Sequence, residues 1–321
     1  MRFVQRVAIP IVVMLGLIFG SIGAVAAQDD DDKPTIVVGS KNFTEQILMS
    51  ELVALTLEDA GYDVERQFGL GGTAVIHQAM WNDEIDIFVE YTGTALVAVL
   101  EMDVPTGDDG ATPEGGDVAT AVSSVADQTY QIVKDEYAGQ WDIAWMDHFG
   151  FNNTYAMAVT QETAAELDLQ TTSDLEEHAG DMTLGTDQEF PVREDGLPGF
   201  EETYGFGFGD VQAGDPGLMY AALDNGDVDV ITAYSTDGRI PALDLVLLED
   251  DKSFFPPYHP APIVRQEVLD ANPEIADVLN KLGGAITEDQ MAEMNYQVDE
   301  EGRTTEDVAR EFLEERGIIG G

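Results

Sequence analysis

The sequence predicts an α/β fold of two lobes with a cleft between them, and three observations carry that expectation. Short apolar runs ending at Gly alternate with longer stretches of helical period, the order that builds sheets flanked by helices. The alternation is interrupted twice, by the apolar and aromatic stretch Trp141 to Phe151 and by Ser253 to Val264, stiffened by Pro256, Pro257, Pro260 and Pro262. Two interruptions imply that the chain crosses from one lobe to the other and back. Finally, 321 residues at 44% hydrophobic and 8% aromatic allow two domains with real cores. No internal repeat is visible.

Taken in order, Met1 to Ala27 reads as a secretory signal: Arg2 and Arg6 precede the apolar Val7 to Ile22, and Ala24-Val25-Ala26 offers small residues for cleavage. An uncleaved membrane anchor is the other reading of that apolar run. Thr35 to Val38 is a strand ending at Gly39. Asn42 and Glu45 resemble a capping pair for a helix reaching Asp59, with Gly61 as its stop. Gly71-Gly72-Thr73 opens a helix, Ile85 to Val89 is a buried strand, and Tyr91-Thr92-Gly93-Thr94 opens the next helix. Strand ends that run into helix starts are where open α/β sheets hold ligands. The threonine hydroxyls and free N–H groups there suit an anion, and Tyr91 adds an aromatic face. A small charged solute follows from that combination.

Met102 to Asp117 is rich in Gly, Asp, Pro and Thr and reads as an exposed loop, followed by a helical pattern from Val118 to Tyr137. Thr154 to Val159 and Met182 to Gly185 are strands, with polar helical sequence between them from Thr160 to Gly180. Arg193 falls in a turn after the second of these. Gly214 to Gly226 is a helix; Val228 to Ala233 and Leu243 to Leu248 are strands. The tail folds as helices over Asn272 to Leu282, Thr287 to Tyr296 (with Thr287 and Gln290 as a capping box) and Thr305 to Arg316.

Several of these segments together resemble the substrate-binding proteins of osmoprotectant ABC transporters, the binders of glycine betaine, carnitine and choline. The motifs are Val38-Gly39-Ser40-Lys41-Asn42-Phe43-Thr44-Glu45-Gln46, Gly71-Gly72-Thr73, His77-Gln78-Ala79, Glu84-Ile85-Asp86 and Glu90-Tyr91-Thr92-Gly93-Thr94. Asn152-Asn153-Thr154-Tyr155-Ala156, Ala233-Tyr234-Ser235-Thr236 and Phe254-Phe255-Pro256-Pro257-Tyr258 follow in the same order, so the likeness runs from Thr35 to the C-terminus. It implies a type II periplasmic-binding-protein-like fold, with one lobe from 34–151 and 254–321 and the other from 152–253. It further implies a cage of Tyr91, Tyr155, Tyr234 and Tyr258 for a quaternary ammonium group, and Lys41, Thr94 and Arg193 for a carboxylate. A quaternary ammonium carries no N–H donor, so aromatic faces must hold its diffuse charge. The implied partners are that solute and the permease subunits of an ABC transporter, with the binding protein a monomer on the periplasmic or extracellular side of the membrane.

Composition narrows the alternatives. With 63 acidic against 14 basic residues and a net charge of -49, nucleic acid or an anionic membrane surface is an unsuitable partner. Such an excess suits a protein bathed in high salt, where screening reduces self-repulsion, and equally an ordinary acidic secreted protein. There is no cysteine, hence no disulfide and no thiolate chemistry. His77, His148, His178 and His259 are scattered without metal-ligand spacing, and His77 reads as a core group. No nucleophile elbow or phosphate loop occurs, and the Asp-rich runs near Asp108 and Asp227 lack the spacing of a calcium loop. The expectation is a binding protein without cofactor, metal or catalysis. A sensor or chemoreceptor subunit of the same fold, and an enzyme acting in the cleft, are the alternatives.

Overall fold

Ten strands form two sheets in a computed structural model that describes residues 33–105 and 118–320. The expected signal at 1–27, and all but the first residues of the expected loop at 102–117, lie outside the described residues. The first sheet uses β1 (Thr35–Gly39), β2 (Asp63–Gln67), β3 (Ile87–Tyr91), β4 (Ile143–Trp145) and β10 (Pro260–Arg265), in the order β2-β1-β3-β10-β4. The second uses β5 (Tyr155–Thr160), β6 (Thr183–Thr186), β7 (Asp210–Ala213), β8 (Val230–Tyr234) and β9 (Leu245–Leu247), in the order β7-β6-β8-β5-β9. Each has three parallel strands and then an antiparallel one: β10 against β3, and β5 against β8. The chain passes between sheets twice, through 146–154 and 248–259, which gives the two-lobed α/β fold that the sequence predicts.

Around the first sheet lie α1 (Thr44–Asp59), α2 (Thr73–Trp81), α3 (Thr92–Thr94), continued by a π-helical turn at Ala95–Val99, and α4 (Val118–Trp141). The second carries α5 (Gln161–Leu167), α6 (Leu197–Tyr204), α7 (Pro216–Asp224) and α8 (Arg239–Ala242). The tail adds α9 (Gln266–Ala271), α10 (Glu274–Leu279), α11 (Glu288–Asp299) and α12 (Thr305–Glu315). Helix α1 is buried on nearly every side, its polar Glu45, Gln46, Ser50, Glu51 and Thr56 included, between the strands of the first sheet and the tail helices α10, α11 and α12. The capping box at Thr287 and Gln290 is present as expected.

Three local expectations are corrected. Asn42 does not cap α1: the cap position is Phe43, which makes no side-chain capping bond, and Glu45 turns into the interior. Ser253 to Val264 is not crossover throughout, because its second half is β10, inside the first sheet. Pro260 and Pro262 fit there because they meet the chain beyond the end of β4 with their carbonyls, which accept from Phe149 N and Met146 N at 2.9 Å each, so no N–H is needed on that side. Strands β2, β4 and β7 were not foreseen: β4 lies inside the expected connector Trp141 to Phe151, while β2 and β7, Asp-Val-Glu-Arg-Gln and Asp-Val-Gln-Ala, belong to sheet edges and are mostly solvated.

Candidate functional site

Topology brings the candidate residues together. Lys41 lies two residues beyond β1, Tyr91 ends β3 and Thr94 belongs to α3, all at the carboxyl ends of parallel strands. In the second sheet Tyr234 ends β8. Tyr155 begins the antiparallel β5 and is therefore paired directly with Tyr234 in the ladder. Tyr258 precedes β10, and Arg193 follows β6 in the turn before α6. All seven residues line one cavity of about 50 Å³, a few water molecules' worth, together with Phe43, Asn153 and Glu189.

The tyrosines present their rings at close quarters. Tyr155 lies 5.3 Å from Tyr234 and, edge to face at 86°, 5.9 Å from Tyr258, measured between ring centroids. Phe43 stacks 5.8 Å from Tyr234 and 6.4 Å from Tyr91, within 16° of parallel to each, and so joins aromatic groups from the two sheets. Gly93 makes room for Tyr258, since a Cβ there would come within 2.8 Å of the ring. Each phenol donates to a carboxylate: Tyr91 to Glu45 at 2.7 Å, Tyr155 and Tyr234 to Asp187 at 2.9 and 3.0 Å, and Tyr258 to Asp195 at 2.6 Å. Burial, reinforced by those carboxylates, holds all four phenols well above their usual pKa, so they are neutral donors at any physiological pH.

The two cations are already engaged. Lys41 Nζ donates to Glu90 at 2.7 Å and to the Thr73 hydroxyl at 3.1 Å. Arg193 grips Asp195 with Nε at 2.7 Å and with Nη2, and reaches Glu189 at 3.1 Å and the Thr94 hydroxyl at 3.3 Å. Three donors on Lys and five on Arg leave one N–H of each uncommitted among the described residues. Glu189 crosses from the second-sheet side to the start of α2, where it accepts from Thr73 N at 2.6 Å and from the Thr73 hydroxyl at 2.9 Å. Burial works against its charge, but Lys41, Arg193 and the Thr73 donors outweigh it and hold the carboxyl below the usual range.

Sequence reasoning missed Phe43, Glu45, Asp187, Asp195 and Glu189. An aromatic at the helix cap position, where Ser, Thr, Asp or Asn is usual, was a signal for Phe43. Glu45 is the hub of the interior: its carboxylate accepts from Tyr91, Asn153, Thr236 and Asn295 at 2.5–2.9 Å. His77 sits in the core as expected, with Nδ1 on Thr73 O and Nε2 on the Tyr137 hydroxyl at 2.8 Å each. No group of three or more His, Cys, Asp or Glu able to hold a metal occurs among the described residues.

A fold of two mixed sheets with an aromatic cavity at their facing strand ends defines a two-lobed solute-binding protein. Residues 34–315 match the substrate binding domain of the ABC-type glycine betaine transport system, and the chain belongs to that family. It is 36% identical over 292 residues to the carnitine transport binding protein OpuCC of Listeria monocytogenes, covering 90% of this chain and 89% of that protein. It is 30% identical over 315 residues to the ergothioneine transport permease/ergothioneine binding protein EgtU of Helicobacter pylori, covering 98% of this chain; the chain spans only 53% of that protein's length. Among solved structures, a glycine betaine/carnitine/choline ABC transporter protein is 34% identical with a TM-score of 0.68, over 89% of this chain and 100% of that one. The family's role is extracytoplasmic substrate binding for transport. No helix among the described residues is long and apolar enough to cross a membrane.

Proposed function

We propose that this chain captures a quaternary ammonium solute of the glycine betaine type between its lobes and delivers it to ABC permease subunits. The observation that carries the reading is the convergence of Tyr91, Tyr155, Tyr234 and Tyr258 on one small cavity, with Lys41, Thr94 and Arg193 on its wall. The rings hold the ammonium head, each favourable contact contributing about 0.5–2 kcal/mol when desolvated. The uncommitted N–H groups of Lys41 and Arg193, with the Thr94 hydroxyl, meet the carboxylate. Tyr91 and Tyr258 belong to the lobe of 34–151 and 254–321, and Tyr155 and Tyr234 to the lobe of 152–253. A ligand touching both halves therefore favours the closed form and shifts the population toward it, and the permease recognises that form.

Calorimetric titration with glycine betaine, proline betaine, carnitine and choline tests this reading. One or more should bind, and Tyr→Ala at any two cage positions should weaken that binding at least tenfold. Tyr→Phe, which keeps the π face, should cost less. Unchanged affinity in the double Ala variants would remove the cage, and turnover of a solute during incubation would point to an enzyme instead.

A further inference from the structure

Charge accounting separates two buried acids from the rest. Six carboxylates are buried among the described residues: Glu45, Glu51, Glu90, Asp187, Asp195 and Asp237. Four have a cation in contact: Glu51 has Arg66, Glu90 has Lys41, Asp195 has Arg193 and Asp237 has Arg239. Glu45 and Asp187 have none among the described residues. A buried carboxylate is costly unless a counter-charge or several hydrogen bonds hold it. Each of these two has four donors and no cation, and for each the donors include cavity tyrosines.

Asp187 is the sharper case. It directly follows β6, and its Oδ1 accepts from the backbone N–H groups of Glu189 and Phe190 at 2.6 and 2.9 Å, so its side chain is locked. Its Oδ2 takes both phenols of the Tyr155–Tyr234 ladder pair. Glu45 stands in the same relation to Tyr91. A neutral acceptor such as a backbone carbonyl would orient these phenols as well. What a carboxylate adds is negative charge directly behind the aromatic wall. Lys41 and Arg193 reach the same cavity, but each already holds a carboxylate of its own. Burial also raises the Glu45 pKa against the pull of its four donors, as expected of a buried carboxyl with no cation beside it.

We infer that Asp187 and Glu45 are positioning and specificity-determining residues: through Tyr155, Tyr234 and Tyr91 they supply the counter-charge that makes the cavity select a cation over an uncharged group of the same shape. The inference rests on the quaternary ammonium reading of the cavity. It assigns the discrimination to buried carboxylates that do not touch the ligand, in addition to the ring faces that do.

The experiment compares glycine betaine and choline with their tert-butyl analogues, in which carbon replaces the quaternary nitrogen, on the full chain at one salt concentration. Wild type should bind at least one of the charged ligands better than its analogue. Asp187→Asn keeps the shape and removes the charge: its amide oxygen accepts from the Glu189 and Phe190 N–H groups, and its NH2 group donates to the two phenol oxygens, which turn from donors to acceptors there. It should lower the cation-to-analogue affinity ratio about tenfold, the scale of a unit charge within several ångströms at moderate effective dielectric. Binding of the analogue itself should change less than about twofold. Glu45→Gln should move the ratio in the same direction, which keeps the test open if one variant folds poorly. An unchanged ratio in both variants, or equal losses for cation and analogue, would overturn the inference while leaving the cage intact. A wild type that binds none of the charged ligands would instead overturn the ammonium reading, and this inference with it.

Discussion

Replacing Arg193 with Ala should expose how much of the site's stability depends on one buried ion pair. The Arg193 side chain is 10% exposed and that of Asp195 2%, so solvent screens their attraction little. Arg193→Ala removes both guanidinium bonds to Asp195 and leaves that carboxylate with the Tyr258 hydroxyl as its remaining side-chain donor. Breaking a buried pair on one side costs about 3–5 kcal/mol, because the surviving charge stays buried. Asp195→Asn should cost less, about 1.5–3 kcal/mol, since Arg193 still has Glu189 and Thr94. In the double variant Arg193→Ala, Asp195→Asn no charge is stranded. Its cost should therefore fall short of the sum of the two single variants by about 2–3 kcal/mol, which is the coupling. Urea unfolding of the ligand-free protein measures all four corners of this cycle. A coupling below about 0.5 kcal/mol, the scatter expected of independent sites, would show that the pair is effectively solvated and the reasoning wrong.

Three further outcomes are expected. Arg193→Ala should weaken glycine betaine by roughly 10- to 100-fold, the scale of one hydrogen bond to a charged group, and choline by much less; equal losses in titrations of both would make Arg193 purely structural. Raising sodium chloride should raise the melting temperature, because the screening length falls from about 30 Å at 0.01 M to about 3 Å at 1 M while the chain carries a charge of -49; a flat or falling curve by scanning calorimetry would count against salt adaptation. Burial lowers the pKa of His77 despite the opposing pull of Glu90, so the unfolded chain takes up the proton first and this histidine's contribution to stability is lost as pH falls below about 6.5. Compared with His77→Gln in urea unfolding, wild type should therefore lose stability on acidification by up to about 1.4 kcal/mol per pH unit, and parallel curves for the two proteins would refute it.

The sequence alone determined the features that depend on neighbours along the chain. The strand and helix alternation, the Thr287 and Gln290 box and the place of each cavity tyrosine in its own contiguous segment were legible, because helical period and capping act over three or four residues. The edge strands β2 and β7 were not legible, since half-solvated polar strands show no clean alternation. Strand β10 was hidden by Pro260 and Pro262, which are tolerated only because the chain beyond β4 needs their carbonyls and not their missing N–H groups. The acids behind the tyrosines were equally hidden. Among 63 Asp and Glu residues nothing marks Asp187 as the acceptor for phenols 32 and 47 residues away, or Glu45 as the partner of Asn153 and Thr236 across 108 and 191 residues. Only the tertiary structure, by setting the carboxyl ends of two sheets face to face, decided which of the buried acids among the described residues have a cation beside them and which two do not. That distinction depends on burial and contact, and neither is a property of sequence spacing.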